Sequence, residues 1–401
     1  MFKRVVVFTL FTVLLIVAVS GVSAQTSVTL PTPSGEYAVS RVDRALTDAA
    51  REEIFTADAG DQRHLVVTFY YPADPADNAE YAPYLPEASR RALVEQGVPY
   101  MLTGLAATQV YENQSISEAE ASYPVLIFSP GFGALPASYT SLLTEVASHG
   151  YIIAVISHTY STAVTEFPDG TVIPANAAGL NIGIGDTFEA MGVVWFADAT
   201  FVLGELAAIN ADDPLLAGKL DLTHVGAFGH SFGGATAAML TAHSENVLAG
   251  INMDGSQYGD INIDFPIGKP FMFMASDQGT QVEPTDEELA AAGITREDYD
   301  GTIADFAASQ TRLLEGADPG YSFVLSGSAH NTYATDYGFF LDGAPAFFPP
   351  EVIGTLEAET AYTIITRYIL TFFDQHVLGA QPTLETLNFQ EVEFTTVDNG
   401  Q

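Results

Sequence analysis

The stretch Gly226-Ala227-Phe228-Gly229-His230-Ser231-Phe232-Gly233-Gly234-Ala235-Thr236 decides how the rest of the chain is read. It contains a G-x-S-x-G pentapeptide, and its flanks give that pattern meaning. His224 to Phe228 predicts a short buried strand, and Phe232 to His243 predicts a helix rich in small residues. A serine on a sharp strand-to-helix turn keeps its hydroxyl exposed, and the glycines leave room for the turn and for close helix–sheet packing. The helix N-terminus behind it aims amide donors at whatever the serine attacks.

Outward from this turn, strands alternate with helices. Pro124–Phe128 and Tyr151–Ile156 are continuous apolar runs, as in strands covered on both faces. Between them Tyr139–His149 predicts an amphipathic helix that Gly150 stops. Trp195, Ala199, Val202, Leu203 and Leu206 form the apolar stripe of a helix packed on the sheet. Downstream, Val247–Met253, Phe271–Ala275 and Ser322–Leu325 predict strands, with a polar helical segment from Thr285 to Glu315. Ala361, Ile364, Ile365, Tyr368 and Phe372 share one face of a C-terminal helix ending near Gly379, and the polar tail beyond it is expected on the surface. Near the N-terminus, Glu36–Ser40 and Leu65–Tyr71 predict edge strands, followed by a Pro-punctuated loop from Pro72 to Pro86. Residues 87–122, with a helical pattern around Ala92-Leu93-Val94, and the irregular 159–194 are expected as insertions. The alternation predicts the α/β class: one domain over 25–401, with a mostly parallel central sheet and helices on both faces.

The chain opens with Met1-Phe2-Lys3-Arg4, an uncharged apolar run from Val5 to Val19, and Val22-Ser23-Ala24. Basic, apolar and small residues in that order predict a signal peptide over 1–24 and export of the remainder. The rival is an uncleaved membrane anchor, since Val5 to Ala24 is long enough to span a thin bilayer. There is no cysteine, so disulfides and thiol chemistry are excluded. Lys and Arg number 13 against 50 Asp and Glu, for a net charge of −37. Such a chain repels nucleic acid and anionic membrane surfaces, which argues against both as partners. No H-E-x-x-H, metal-spaced His/Asp cluster, G-x-G-x-x-G or Walker loop occurs, and no metal or other cofactor is implied.

A serine hydroxyl needs a base within hydrogen-bond reach. In the α/β-hydrolase arrangement that this strand–turn–helix resembles, the chain order is Ser, then an acid, then His. Of the eight histidines, only His243, His330 and His376 follow Ser231. His243 ends the nucleophile's own helix and would point away from the turn, while His376 lies within the C-terminal helix. His330, in Ser326-Gly327-Ser328-Ala329-His330-Asn331, follows a predicted strand, where such sheets place chemistry, and is the predicted base. Two acids stay open, Asp254 and Asp277, each at the end of a predicted strand. One would orient the imidazole, and the other would cap backbone amides. The expected oxyanion donors are the backbone N–H groups of Phe232 and of Phe132, the latter in Ser129-Pro130-Gly131-Phe132-Gly133-Ala134.

These residues resemble a known family. Gly229-His230-Ser231-Phe232-Gly233-Gly234-Ala235-Thr236 is similar to the nucleophile motif of platelet-activating factor acetylhydrolases, the plasma or lipoprotein-associated type and its bacterial relatives. Tyr123 to Gly131 resembles that family's oxyanion strand and loop, and the similarity continues through Ala147-Ser148-His149-Gly150-Tyr151. It extends to Gly35-Glu36-Tyr37, Phe167–Gly170 and Phe372-Phe373-Asp374-Gln375-His376, and is weakest around 280–320 and in the tail. The chain departs from the family at Pro130, where animal members carry His before the glycine. The resemblance ranks Asp254 above Asp277 as the acid and places His330 in the family's Gly-Ser-x-His context. It implies a secreted serine esterase that cleaves short sn-2 acyl esters of glycerophospholipids without calcium. Polyester or cutinase-like and dienelactone hydrolases share the fold and a similar elbow, and form the rival for substrate. A non-catalytic hydrolase-fold binding protein is the rival of another class.

Overall fold

In the computed structural model the described residues are 28–98, 106–180, 186–259, 265–277, 283–291, 293–341, 350–381 and 383–397. The apolar runs build one sheet because each can bury both of its faces. The first half of the chain supplies β1 (Ala38–Glu52), β2 (Gln62–Asp74), α1 (Glu87–Glu95), β3 (Val110–Glu112), β4 (Ser115–Ile116), β5 (Tyr123–Ser129), α2 (Thr140–Ser148) and β6 (Ile152–Ser157). A small hairpin of β7 (Val164–Glu166) and β8 (Val172–Pro174) precedes the long helix α3 (Asp186–Asp212). Then come β9 (Leu220–His230), α4 (Phe232–His243), β10 (Ala249–Met253), β11 (Phe271–Ser276), α5 (Asp286–Ala291), α6 (Arg296–Glu315) and β12 (Gly320–Leu325). The chain continues with α7 (Asp336–Leu341), α8 (Pro350–Ile353), α9 (Ala358–His376) and β13 (Val392–Val397).

The strand order is β13-β12-β11-β10-β9-β5-β6-β2-β1-β3, with β4 also pairing β2. From β12 to β6 every neighbouring pair is parallel, whereas β13, β2 and β1 join antiparallel. Successive side chains alternate between two cores, as a pleated strand requires. On β5, Leu126 and Phe128 face the core closed by α2 and α9, whereas Val125 and Ile127 face the one closed by α3 and α4. The chain runs outward from β5 to β6 and later outward the other way from β9 to β12. The carboxyl ends of β5 and β9 therefore meet where the order reverses, the place at which open α/β sheets leave a crevice.

The mostly parallel sheet between helical layers agrees with the sequence reading, and several local expectations need correction. Leu65–Tyr71 is not at an edge: β2 lies between β1 and β6 and runs through Pro72, which needs no ladder donor of its own there and accepts from the Ser117 N–H at 2.9 Å. Part of 87–122 joins the sheet as β3 and β4, and α3 already begins inside the stretch expected to be irregular. Helix α2 has the expected apolar face, Leu142, Leu143, Val146 and Ala147 in the core with α9, but its polar face is buried as well, with the Ser141 N–H donating to Asp336 and the Ser34 N–H to Glu145. The polar tail lies on the surface as expected, and there it forms an edge strand with no buried residue. Its Phe394 stacks on Tyr321 with ring centroids 5.7 Å apart, a long-range contact that no local pattern announces. The predicted signal peptide over 1–24 lies outside the described residues.

Candidate active site

Ser231 sits between the last residue of β9 and the first of α4, with φ 56° and ψ −125°. A left-handed φ is costly for a residue with a Cβ and is found where the surroundings over-determine it. Here the Ser231 N–H donates to the Met253 carbonyl at 2.8 Å, extending the β9–β10 ladder by one step, and the Ser231 carbonyl accepts from Gly234 at 2.9 Å. Close approach demands glycine at Gly233: a methyl group there would lie 2.1 Å from the Ser129 carbonyl oxygen and 2.3 Å from that of Pro130. The nucleophile helix can therefore press against the loop after β5.

Three strand ends bring the predicted residues together. His330 Nε2 lies 2.9 Å from Ser231 Oγ, and His330 Nδ1 lies 2.7 Å from Asp254 Oδ2. Asp254 follows β10 with φ 57°, and its N–H donates to the Met274 carbonyl, so it too continues a ladder. Its carboxylate is almost enclosed, 7% exposed, and accepts from the Ser276 N–H and the Ser276 hydroxyl, each at 2.8 Å. A carboxylate can only accept, so His330 Nδ1 carries the proton and Nε2 is left to accept from Ser231. Asp277 is not part of this chain: its carboxylate accepts from the Gly327 N–H at 2.8 Å and so caps the turn that leads to His330. His243 stacks on Phe265, and His376 faces the Tyr321 hydroxyl at 3.0 Å, both remote from Ser231.

The loop after β5 lies over the serine. A methyl group on Gly131 would be 3.5 Å from Ser231 Cβ. Phe232 occupies the first position of α4, where N–H groups have no acceptor within the helix. The Phe132 and Phe232 rings pack edge-on at 5.8 Å, and both contact Trp195, giving an aromatic wall beside Ser231.

Sequence reasoning missed a second buried array under the same loop. Asp198 accepts from His158 Nδ1 at 2.9 Å, and His158 Nε2 lies 3.1 Å from Ser129 Oγ. Asp198 also takes two hydrogen bonds from Arg63, which reaches Glu53 at 2.9 Å as well. Burial by itself would raise the Asp198 carboxyl, but Arg63 and His158 hold it well below the usual range. Burial in turn pushes the His158 imidazole down against the pull of Asp198, leaving it neutral and stacked on Trp195 at 3.8 Å. This copies the Ser–His–Asp order but is sealed from solvent, so it anchors the start of the loop rather than offering a nucleophile.

Residues 22–171 match the sequence model of the family described as platelet-activating factor acetylhydrolase, isoform II, a stretch that includes β5 and its loop and ends before Ser231. The chain is 27% identical over 262 residues to a probable 1-alkyl-2-acetylglycerophosphocholine esterase of Arthroderma benhamiae, covering 59% of this chain and 62% of the relative. It is 25% identical over 238 residues to the platelet-activating factor acetylhydrolase of Cavia porcellus, covering 52% and 54%. These matches span less than two thirds of the curated relatives' length, 62% and 54%. A ferulic acid esterase structure from Streptomyces cinnamoneus superposes with a TM-score of 0.71 at 24% identity, over 92% of this chain and 99% of that one, which shows a shared fold. The resemblance read from the sequence is borne out.

Proposed function

With kinship to the platelet-activating factor acetylhydrolases as the premise, we propose that the chain is an exported serine carboxylic-ester hydrolase: a leader over 1–24, then one catalytic domain. Ser231 Oγ attacks the ester carbonyl carbon while His330 Nε2 takes its proton. Asp254 fixes the imidazole tautomer and stabilises the imidazolium. The N–H groups of Phe232 and Phe132 meet the oxyanion, an interaction whose loss typically costs roughly 100- to 1000-fold in turnover. His330 returns the proton to the leaving alkoxide, which departs as the alcohol. Water then repeats the sequence on the acyl-serine, releasing the carboxylic acid and the free hydroxyl. The observation that carries this reading is the unbroken hydrogen-bond chain from Ser231 Oγ through His330 to Asp254.

The names of the relatives support a short sn-2 acyl ester of a glycerophospholipid as substrate, and the strongly acidic surface favours a zwitterionic head group over an anionic one. Ser231→Ala should abolish hydrolysis of p-nitrophenyl acetate and labelling by a fluorophosphonate. Activity retained in that variant would refute the assignment, and turnover of polymer film but not of an acetylated phospholipid would move the enzyme to the polyester hydrolases.

A further inference from the structure

We propose that His230 and Tyr139 are positioning residues that tie the main chain of the catalytic base to the oxyanion loop, an inference that rests on the esterase reading above. His230 is the first of the two variable residues of G-x-S-x-G, and it is 3% exposed. Its Nε2 lies 2.9 Å from the His330 carbonyl oxygen, and its Nδ1 lies 2.7 Å from the Tyr139 hydroxyl. The same hydroxyl lies 3.0 Å from the Gly131 amide nitrogen.

The direction of every bond in this relay follows from the groups at its ends. A carbonyl oxygen only accepts, so His230 Nε2 carries the proton. Burial holds the His230 imidazole well below its ordinary range, so it is neutral and Nδ1 is a bare acceptor. Burial raises the Tyr139 hydroxyl far above its ordinary range, so it keeps its proton and donates to Nδ1. The Tyr139 oxygen is then free to accept from the Gly131 N–H. Donation runs one way from Gly131 to Tyr139, to His230, to His330, with no partner able to reverse its part.

Both ends of the relay need such a link. His330 is on a short 3-10 turn, His330–Tyr333, rather than on a strand end extended by the sheet ladder. Gly131 directly precedes Phe132, the proposed donor, and is held close: a methyl group on it would be 3.2 Å from both His230 Nδ1 and Tyr139 Oη. The tetrahedral intermediate must touch the base and the oxyanion donors at once, so their separation matters to the chemical step more than to ground-state binding.

The test uses Tyr139→Phe, His230→Leu, their double variant and His230→Gln in the full chain, with steady-state hydrolysis of p-nitrophenyl acetate. Since a misplacement of about 1 Å can cost about 100-fold, a slackened relay is expected to lower kcat by roughly tenfold, with KM within about twofold. The double variant should lose no more than the worse single, because the residues act as one unit. His230→Gln keeps an N–H donor within reach of the His330 carbonyl and should recover most of the turnover lost in His230→Leu. Tyr139→Phe preserves the packed ring, so it carries the test if the leucine variant does not fold. Wild-type turnover in Tyr139→Phe, additive losses, or a glutamine variant no better than leucine would each overturn the relay. A wild-type protein inert to both the ester and a fluorophosphonate would instead sink the esterase reading beneath it.

Discussion

Replacing Asp254 with Asn tests the proposed acid most sharply, because the surrounding donors dictate which way the amide turns. Asp254 Oδ1 accepts from the Ser276 N–H, a backbone donor that cannot become an acceptor. The Asn oxygen must therefore take that position, which leaves the NH2 group facing the Ser276 hydroxyl and His330 Nδ1. Ser276 can rotate its hydroxyl and accept. His330 can accept only by leaving Nδ1 bare, which moves its proton to Nε2, opposite Ser231 Oγ. In that tautomer the imidazole cannot take the serine proton, the fault that costs about 10,000-fold in turnover in a Ser-His-Asp triad, or roughly 5.5 kcal/mol of activation free energy. Asp277→Asn carries no such conflict, since one amide oxygen can still accept from the Gly327 N–H, and turnover should stay within about threefold of wild type. The assay is kcat for p-nitrophenyl acetate at neutral pH, with urea unfolding as a check on the fold. An Asp254→Asn variant within about tenfold of wild type, or a larger loss in Asp277→Asn, would refute the tautomer argument.

Two further outcomes concern stability. Asp198→Asn leaves Arg63 and its partners with less negative charge in a site where both side chains are at most 2% exposed, and breaking a buried pair from one side is expected to cost roughly 3 kcal/mol in urea unfolding; an unchanged midpoint would show that Glu53 and the Thr159 carbonyl suffice for Arg63. Glu145 is held down at about 2 although burial alone would raise it, because His149 and the hydroxyl and amide of Ser34 favour its charge. Its folded pKa lies below its unfolded value of about 4.3, so its stabilisation is present above that pH and fades as pH falls toward 2. Glu145→Gln should flatten the unfolding midpoint across that window, and a pH profile identical to wild type would contradict the shift.

Legibility divided along physical lines. Ser231 and its helix could be read because a strand-to-helix turn imposes local demands: small residues where backbones touch, an apolar run before and a helix after. Chain order narrows the base to three histidines beyond Ser231, and His330 is the one that stands in a loop after a predicted strand rather than in a helix. The same filter hides His230, since it precedes the serine by one residue and so falls among the upstream histidines, although it stands inside the motif. Tyr139 was visible only as a helix-start residue, because its hydroxyl meets His230 across 91 positions of sequence. Arg63, His158 and Asp198 were invisible for the same reason: each is polar and unremarkable locally, and only tertiary contact makes them one buried array. The tail's surface position was legible, but its strand was not. Val392 to Val397 alternates weakly, and pairing with β12 decides it.

Strain shows how the labour within the proposed triad is divided. Among the described residues, four non-glycine positions have positive φ, and two of them are Ser231 and Asp254. Such a conformation costs roughly 1–3 kcal/mol and persists only where neighbours enforce it. For these two residues the enforcement is the sheet: each donates its N–H to the next strand, to Met253 and Met274, at 2.8 Å. The proposed nucleophile and acid are thus extensions of the ladder and inherit its rigidity. His330 has no such tie, since β12 ends at Leu325 and a turn separates the two. Its side chain is also the most exposed of the base–acid pair, 31% against 7%. The base must therefore be held from outside the sheet, by Asp254 at its ring and by His230 at its carbonyl, while Thr332 in the same turn bonds to Ile353 at 3.0 Å. A base held by side chains rather than by the ladder is the member of the triad most open to adjustment by substitutions that leave the fold intact.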